Sequence, residues 1–300
     1  MTVSVVKHHD SLRAAWPRLP AAVRRDLGQR DSLEIALSKD RSMEHARRAG
    51  VPSLPTLRCS HREEVAEAGR VLAGTDGVVV KGEGGSAGSS VLAVAAGRLP
   101  TEEQWAALTR RSPEVMVQRR LAGPRMLVTV VYEHGRERAA CAHEKVLAFP
   151  EAFGITARGI TRRNDTVLDH ARRIFETLFW HGPANVELRQ DLADGRWYFM
   201  EINPRIASSI GIQEAAGMDI VRSWAAVCAG DGASLGDSRA YSAGVEYGWS
   251  LPSLSLALQR PLFHGIEAAR VLTRRGDWEV LDGAARTKTL RTAAWLARHR

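Results

Sequence analysis

Cysteine and lysine are the scarce residues of this 300-residue sequence. Its 3 cysteines, Cys59, Cys141 and Cys228, are widely spaced and form no CxxC pair. That excludes a disulfide scaffold or a zinc knuckle and fits a reducing compartment. Long apolar runs are also absent: no window approaches eighteen uninterrupted apolar residues, so no membrane span is expected. The N-terminal MTVSVVKHHDSLRAAW has no apolar h-region, so no signal peptide is read there, and a soluble cytoplasmic protein is expected. Lysine is scarce in a different way. Of 42 basic residues only Lys7, Lys39, Lys81, Lys145 and Lys288 are lysine, the rest being arginine. Where arginine supplies generic positive charge, a lysine merits a closer look, because the two cations differ physically.

What is present is ordinary globular composition: 44% hydrophobic and 25% charged residues, 26 Gly and 12 Pro, with a net charge of +8. Such a chain buries a core and is not disordered. Residues 1–37 read as polar helix and turn. Ser38 caps a helix through Met43 and Ala46 that Gly50 ends before Val51-Pro52. A second helix is predicted over 62–73, a buried strand at Gly77–Val80, and a further strand in the apolar run Val91–Ala95. Thr101–Arg110 reads as a helix with a TEE start. Strands follow at 115–117, 126–132 and 138–149, then a glycine-containing loop through Gly159. Asp165–Leu178 is helical, 183–189 and 196–202 are paired strands, and Ile212–Ala229 is one apolar helix. A short helix at Leu254–Gln259 precedes a basic end. Helices and strands alternate without a sustained βαβ period, which places the chain in the α+β class with antiparallel pairing.

The segment GPANVELRQDLADGRWYFMEINPR carries the clearest chemistry. A turn centred on Ala193-Asp194-Gly195 pairs residues whose numbers sum to 388. Glu187 then faces Glu201 and Asn185 faces Asn203, with all four side chains on one face. Val186, Leu188, Met200 and Ile202 fall on the opposite, apolar face. Two opposed carboxylates repel and require a cation or a shared proton; with an amide oxygen they form a hard oxygen set suited to Mg²⁺. The alternative is a surface hairpin whose acids meet solvent and pair with arginines.

The loop Lys81-Gly82-Glu83-Gly84-Gly85-Ser86-Ala87-Gly88-Ser89-Ser90 is the second signal. Its glycines let backbone N–H groups approach phosphate oxygens. The lysine precedes the glycines, unlike a P-loop, and no helix follows, unlike a dinucleotide fingerprint. A phosphate lid anchored by Lys81 and a mobile hairpin tip both fit this segment.

Together these residues resemble the ATP-grasp superfamily, in particular its carboxylate–amine ligases, over about two-thirds of the chain from Ser38 to Gly230. The resemblance is carried by Lys39 ahead of ARRAGVPSLPT, by VVVKGEGGSAGSS, VMVQRRLAG, HGPANVEL and FMEINPR. It implies an α+β ATP-grasp fold of two subdomains gripping ATP, with a truncated N-terminal region: a remnant over 1–37, subdomain A with the lid over 38–115, subdomain B with the metal site over 116–235, and a basic extension over 236–300. It further implies that Lys39 and Lys81 contact ATP phosphates, with Gly84, Gly85, Ser86 and Gly88 in the lid over them. Gln118, Arg119 (by its backbone) and Leu121 are implied as the adenine hinge. Glu187, Glu201 and Asn203 are the implied ligands of Mg²⁺, or Mn²⁺. Arg205 is implied beside an acyl-phosphate and Lys145 at the acyl donor. Gly82 stands where many relatives carry proline, predicting a looser loop. Arg125 lies near where many relatives place an acid, leaving the ribose contact unassigned.

The implied activity is an ATP- and Mg²⁺-dependent ligation of a carboxylate to an amine through an acyl-phosphate, releasing ADP and phosphate. Small-molecule carboxylate and amine substrates are the expected partners. A homodimer or a partner subunit in place of the short N-terminal domain stays open. A non-catalytic ATP-binding relative is one alternative. A basic nucleic-acid-binding protein is another, although no basic stripe with interleaved aromatics and no reader motif accompanies the charge. His143 and His181 are read as structural or solvated, and Ser208 and Ser209 as either acceptor-site or helix-start residues.

Overall fold

The computed structural model describes residues 16–18, 30–72, 77–82, 90–150, 153–273, 276–277 and 283–298. The first described helices are α1 (Arg30–Leu37) and α2 (Lys39–Arg48). Ser38 has extended backbone and its hydroxyl accepts from the Arg41 amide (3.3 Å), so Lys39 opens α2 as its first helical residue. Four strands then build a small antiparallel sheet: β1 (Thr56–Cys59), β2 (Val78–Lys81), β3 (Val91–Val94) and β4 (Val115–Arg119), in the order β1-β4-β2-β3. Helices α3 (Glu64–Leu72) and α4 (Glu102–Thr109) cover it. Val65, Ala68, Val78, Val80, Leu108, Val115 and Val117 form its core. A reciprocal box between Thr101 and Gln104 starts α4.

The second sheet is larger. Its strands are β5 (Arg125–Glu133), β6 (Arg136–Phe149), β7 (Ile155–Thr161), β8 (Gly182–Gln190), β9 (Trp197–Asn203) and β10 (Glu246–Gly248), ordered β10-β7-β6-β5-β8-β9, with helix α5 (Asp165–Thr177) between β7 and β8 in the chain. Even-numbered β5 and β8 residues (Met126, Val128, Val130, Val186, Leu188) face α5 and bury against Leu168, Ala171, Ile174 and Phe175. The same core takes in Leu33 and Ala36 of α1 and Met43 and Ala46 of α2. The odd-numbered residues are thereby turned to the other face, where the candidate site lies.

The chain after α2 lies along β9. The Phe199 amide donates to the Pro52 carbonyl (2.8 Å), and Ser53 bridges Phe199 in parallel. Lys39 is thus tied by a short run of chain to the strand that carries Glu201.

Several expectations change. Residues 150–159 are not all loop: 155–161 form β7, whose pattern is interrupted by glycine. The helix expected over 212–229 divides into α6 (Ile210–Ala215) and α7 (Ile220–Ala229). Gly217 (φ +90°) supplies the left-handed backbone that ends the first, and the Asp219 carboxylate caps the second by accepting from Arg222 N (2.7 Å). The carboxy-terminal part is not merely a basic tail. It adds β10 to the large sheet and packs α8 (Ser250–Gln259), α9 (Pro261–Thr273) and α10 (Gly283–Arg298) around Leu254, Ala268 and Ala293. Gly82 is buried, and a Cβ there would lie 2.2 Å from the Leu108 carbonyl oxygen. Glycine at this position serves close packing of β2 on α4, and the loop beyond it, expected to be looser, lies outside the described residues. Gly84, Gly85, Ser86 and Gly88 lie outside the described residues.

The β8–β9 connection also differs from a three-residue loop. Asp191 N donates to Arg196 O (2.9 Å), so residues 192–195 close an even loop. Near it the register is Gln190↔Trp197, Arg189↔Tyr198 and Leu188↔Phe199; beyond a bulge it becomes Glu187↔Glu201, Val186↔Ile202 and Asn185↔Asn203. Met200 is the extra residue. The bulge compensates the loop, so the acid and amide pairs fall as the spacing predicts, while Phe199 rather than Met200 enters the core. Phe199→Ala should cost about 3–5 kcal/mol in denaturant unfolding, whereas Met200→Ala should cost about 1 kcal/mol or less. Equal losses would refute the bulged register.

Candidate functional site

The site lies where the end of β2 meets the odd-numbered face of the large sheet. Glu187 and Glu201 stand opposite each other on β8 and β9, as do Asn185 and Asn203 one step on. The Asn203 amide donates to Glu201 Oε1 (2.8 Å), which leaves its own oxygen for another partner. Lys145, on β6, reaches across β5 to bond Glu187 Oε2 (2.7 Å); both side chains are largely buried, at 8% and 15% exposure. Lys145 Nζ also approaches the Gly154 carbonyl (3.4 Å). Burial alone would raise the Glu187 carboxyl, but Lys145, Arg125 and Lys81 outweigh it and hold Glu187 below the usual carboxylate range.

Helix α2 and the small sheet each supply an ammonium group, Lys39 and Lys81. Lys39 Nζ donates to the Gly82 carbonyl (2.6 Å), joining the start of α2 to the end of β2. Lys81 is pushed down to about 8, first by burial and then by Lys39, against the opposing pull of Glu201 and Glu187. Lys39, Lys81, Lys145, Glu187, Glu201 and Asn203 therefore converge from both sheets. Arg205 follows directly: its amide donates to Asn203 O (2.8 Å), its carbonyl accepts from Asn185 Nδ2 (3.0 Å), and its guanidinium has a long 3.4 Å contact to Ile206 O.

The oxygen set fits a hard divalent cation. Two carboxylates and an amide oxygen share one face, and the Lys145 ammonium already neutralises one of them, as a metal would. Among the described residues, no group of three or more His, Cys, Asp or Glu forms a metal cluster. A metal here would rest on Glu187, Glu201 and the amide of Asn203.

The residues expected at the adenine, Gln118, Arg119 and Leu121, lie at the end of β4 and in the segment that joins the two sheets. Gln118 is buried and directs its amide into the core, donating to Thr56 Oγ1 (2.8 Å) and Met43 Sδ (3.0 Å). Its side chain is thereby committed to packing, and its backbone pairs with Thr56 on one side and Val79 on the other. Leu121 is buried. The Arg119 guanidinium is ion-paired to Asp191 in the β8–β9 turn, which raises Arg119 and lowers Asp191 from their ordinary values. Asp191 also accepts from Ala193 N (3.0 Å), so one carboxylate ties the hinge to the turn.

Sequence reasoning missed this role for Asp191, although an aspartate opening a turn is a readable signal. It also missed the buried polar cluster behind the site. With the Gln213 amide turned to satisfy both ends, its oxygen accepts from His143 Nδ1 (3.2 Å) and Thr129 Oγ1 (3.0 Å), and its nitrogen donates to Ser209 O (2.7 Å) and Ile210 O (3.0 Å). The His143 ring is pushed down to about 3 by burial and by Lys145. His181 is buried and stacks on His134 at 4.3 Å between ring centres. Ser209 is buried and precedes α6 without a side-chain cap bond, while Ser208 is exposed.

Comparison with known proteins adds the family context. Residues 111–249 match the model of a family described as ATP-grasp in the biosynthetic pathway with Ter operon. The fold is similar to a biotin carboxylase from Campylobacter jejuni in complex with β,γ-ATP (TM-score 0.59, 16% identity, 73% of this chain and 51% of that one). It is also similar to N5-carboxyaminoimidazole synthetase from Staphylococcus aureus complexed with ADP (0.54, 18%, 70% and 58%). An L-amino acid ligase from Bacillus licheniformis is a third (0.50, 18%, 66% and 48%). The chain spans about half the length of these structures. No curated protein matches its sequence. Among the described residues, no helix is long and apolar enough to cross a membrane.

His143 carries a pH signature. Unfolded, it titrates near its ordinary 6.5; folded, near 3. Its contribution is complete above pH 6.5 and is lost as pH falls from there, by up to about 1.4 kcal/mol per pH unit. Chemical unfolding between pH 6.5 and 4 should therefore steepen in the wild type relative to His143→Gln. Parallel curves would refute the buried neutral ring.

Proposed function

We propose that this chain, an ATP-grasp protein by its fold and by the family model that residues 111–249 match, is an ATP- and Mg²⁺-dependent ligase that joins a carboxylate to an amine. The observation that carries the reading is the meeting of Lys81 with Glu201 and Glu187 below it and Lys39 beside it. Ammonium groups from α2 and the small sheet and a carboxylate pair from the large sheet are the two halves of a site for a metal-bound triphosphate.

Lys39 and Lys81 bind phosphate oxygens as compact point charges, each anchored by its place at an element end. Glu187, Glu201 and Asn203 would hold Mg²⁺, which would supply neutralisation of phosphate charge. A substrate carboxylate oxygen attacks the γ-phosphorus, the bond to the bridging oxygen breaks, and ADP leaves. An amine then attacks the acyl carbon, phosphate leaves with the bonding pair, and the nitrogen loses a proton. Lys145 Nζ orients Glu187 and lies on the face where the carboxylate would stand. Arg205, fixed at the end of the metal strand, donates to the oxyanion of the tetrahedral intermediate. The lid residues Gly84, Gly85, Ser86 and Gly88 close over the phosphates in this reading, and the hinge backbone at Gln118, Arg119 and Leu121 takes the adenine. The charge and motif content suit nucleotide chemistry without a protein nucleophile.

The test is ADP release from a matrix of carboxylates crossed with amines, with Mg–ATP binding measured on the same protein. Glu201→Gln should lower turnover by about a hundredfold or more while the fold is retained. Mg–ATP binding without ADP release from any pair would overturn the ligase reading. A non-catalytic nucleotide binder would then remain.

A further inference from the structure

Helix α9 carries its larger apolar residues on the outside. Its small Ala268 packs into the core that Leu254 of α8 and Ala293 of α10 share with it. Leu262, Phe263 and Ile266, by contrast, are 95%, 78% and 72% exposed, and Leu272 is exposed further along the helix. Together with exposed Ala269 they recur at the three- and four-residue spacing of one helical face. Thr273, the exposed polar residue at the end of this face, donates its hydroxyl to Ala269 O (2.8 Å). The face therefore presents apolar volume and little that could make a directional bond. Contiguous exposed apolar side chains of this size mark a contact surface.

The surrounding charge selects the occupant. Residues 250–300 hold nine Lys and Arg against four Asp and Glu, a difference of five out of the chain's net +8. Among the described residues of α8–α10 and their junctions, each exposed charged side chain is basic: Arg260, Lys288, Arg291 and Arg298. On α10, Lys288, Arg291, Trp295 and Arg298 follow at intervals of three, four and three, which sets an exposed indole among cations on one stripe. A second copy of this chain would bring the same positive charge to the contact and be repelled. Acyl chains accept protruding leucine, phenylalanine and isoleucine without a matching pocket, anionic headgroups answer the basic charge, and an indole suits the level between them. Among the described residues no helix is long and apolar enough to cross a membrane, so such a contact lies along the surface.

We propose that the outer face of α9, with the basic stripe of α10, docks this protein on a membrane surface rich in anionic phospholipid. Leu262, Phe263 and Ile266 enter the boundary between headgroups and acyl chains, while Lys288, Arg291 and Arg298 meet headgroup phosphates. The dock uses none of the residues of the candidate site and does not depend on the nucleotide reading.

Vesicle co-sedimentation of the full chain tests it, with vesicles of phosphatidylcholine alone and of phosphatidylcholine and phosphatidylglycerol in equal parts. The wild type should bind the mixed vesicles about tenfold or more tighter than the neutral ones, a preference that added salt weakens. The combined Leu262→Ser, Phe263→Ser and Ile266→Ser variant, altered only at exposed side chains, should lose about tenfold or more in affinity for the mixed vesicles. Lys288→Glu with Arg291→Glu should bring binding of the mixed vesicles down to within about threefold of the neutral ones, which separates charge from apolar insertion. A wild type that binds neither vesicle, or both equally, would overturn the dock, as would an apolar variant that binds like the wild type. Light scattering without lipid supplies the last arm. Self-association that the apolar variant abolishes, with no vesicle binding by the wild type, would overturn the dock in favour of a contact between copies.

Discussion

Two carboxylates held face to face in register govern the rest of this molecule. Glu187 and Glu201 are opposed on adjacent strands, a placement that isolated strands would avoid because the charges repel. The fold answers with cations from three directions: Lys145 from two strands away, Arg125 from the strand between, and Lys81 from the other sheet. The result holds Glu187 ionised although burial opposes it. The same arrangement draws the end of β2 toward β8 and β9, so the electrostatics of one pair relates the two sheets to each other.

That relation is reinforced by covalent and hydrogen-bonded ties. α2 begins with Lys39, and only a short run of chain separates its end from the Pro52–Phe199 bond on β9. On the far side, Arg119 and Asp191 bind the hinge to the turn of the same hairpin. β9 and its turn are consequently held near the turn end by the segment after α2 and by the end of β4. A ligand entering between the sheets meets groups whose spacing is set by this hairpin rather than by long flexible side chains alone.

The legible part of the sequence was where periodicity and chemistry agreed. Ser38, Thr101 and Asn164 cap their helices through side-chain oxygens, visible as residue types, and the acid pair follows from strand parity. Yet parity succeeded through two offsetting departures, an even loop and a bulge at Met200, neither of which has a residue signature. Phe199 was misplaced for the same reason. β7 was hidden because Gly159 breaks its pattern, and Gly159 is glycine for packing: a Cβ there would meet His143 and Ile212 at 3.1 Å. β10 is three residues long and joins an edge, too short for any periodic signal. Gln118 shows the converse limit. A polar residue at a hinge invites a ligand role, but its neighbours across β1 and α2 claim its amide. Such long-range partners are invisible until the chain is folded.

The partition of lysine and arginine takes its meaning from the cleft. Outside it, arginines make multiple contacts that a single ammonium cannot: Arg239 bonds both oxygens of Glu137, and Arg58 meets Asp40 and Glu114. Inside it, three of the five lysines are confined positions, at a helix start, a strand end and a buried ion pair. In the proposed reading, these three lysines set compact ammonium groups against the carboxylate pair Glu187 and Glu201. A metal-bound triphosphate would answer both, its phosphate oxygens meeting the ammonium groups and its cation the carboxylates.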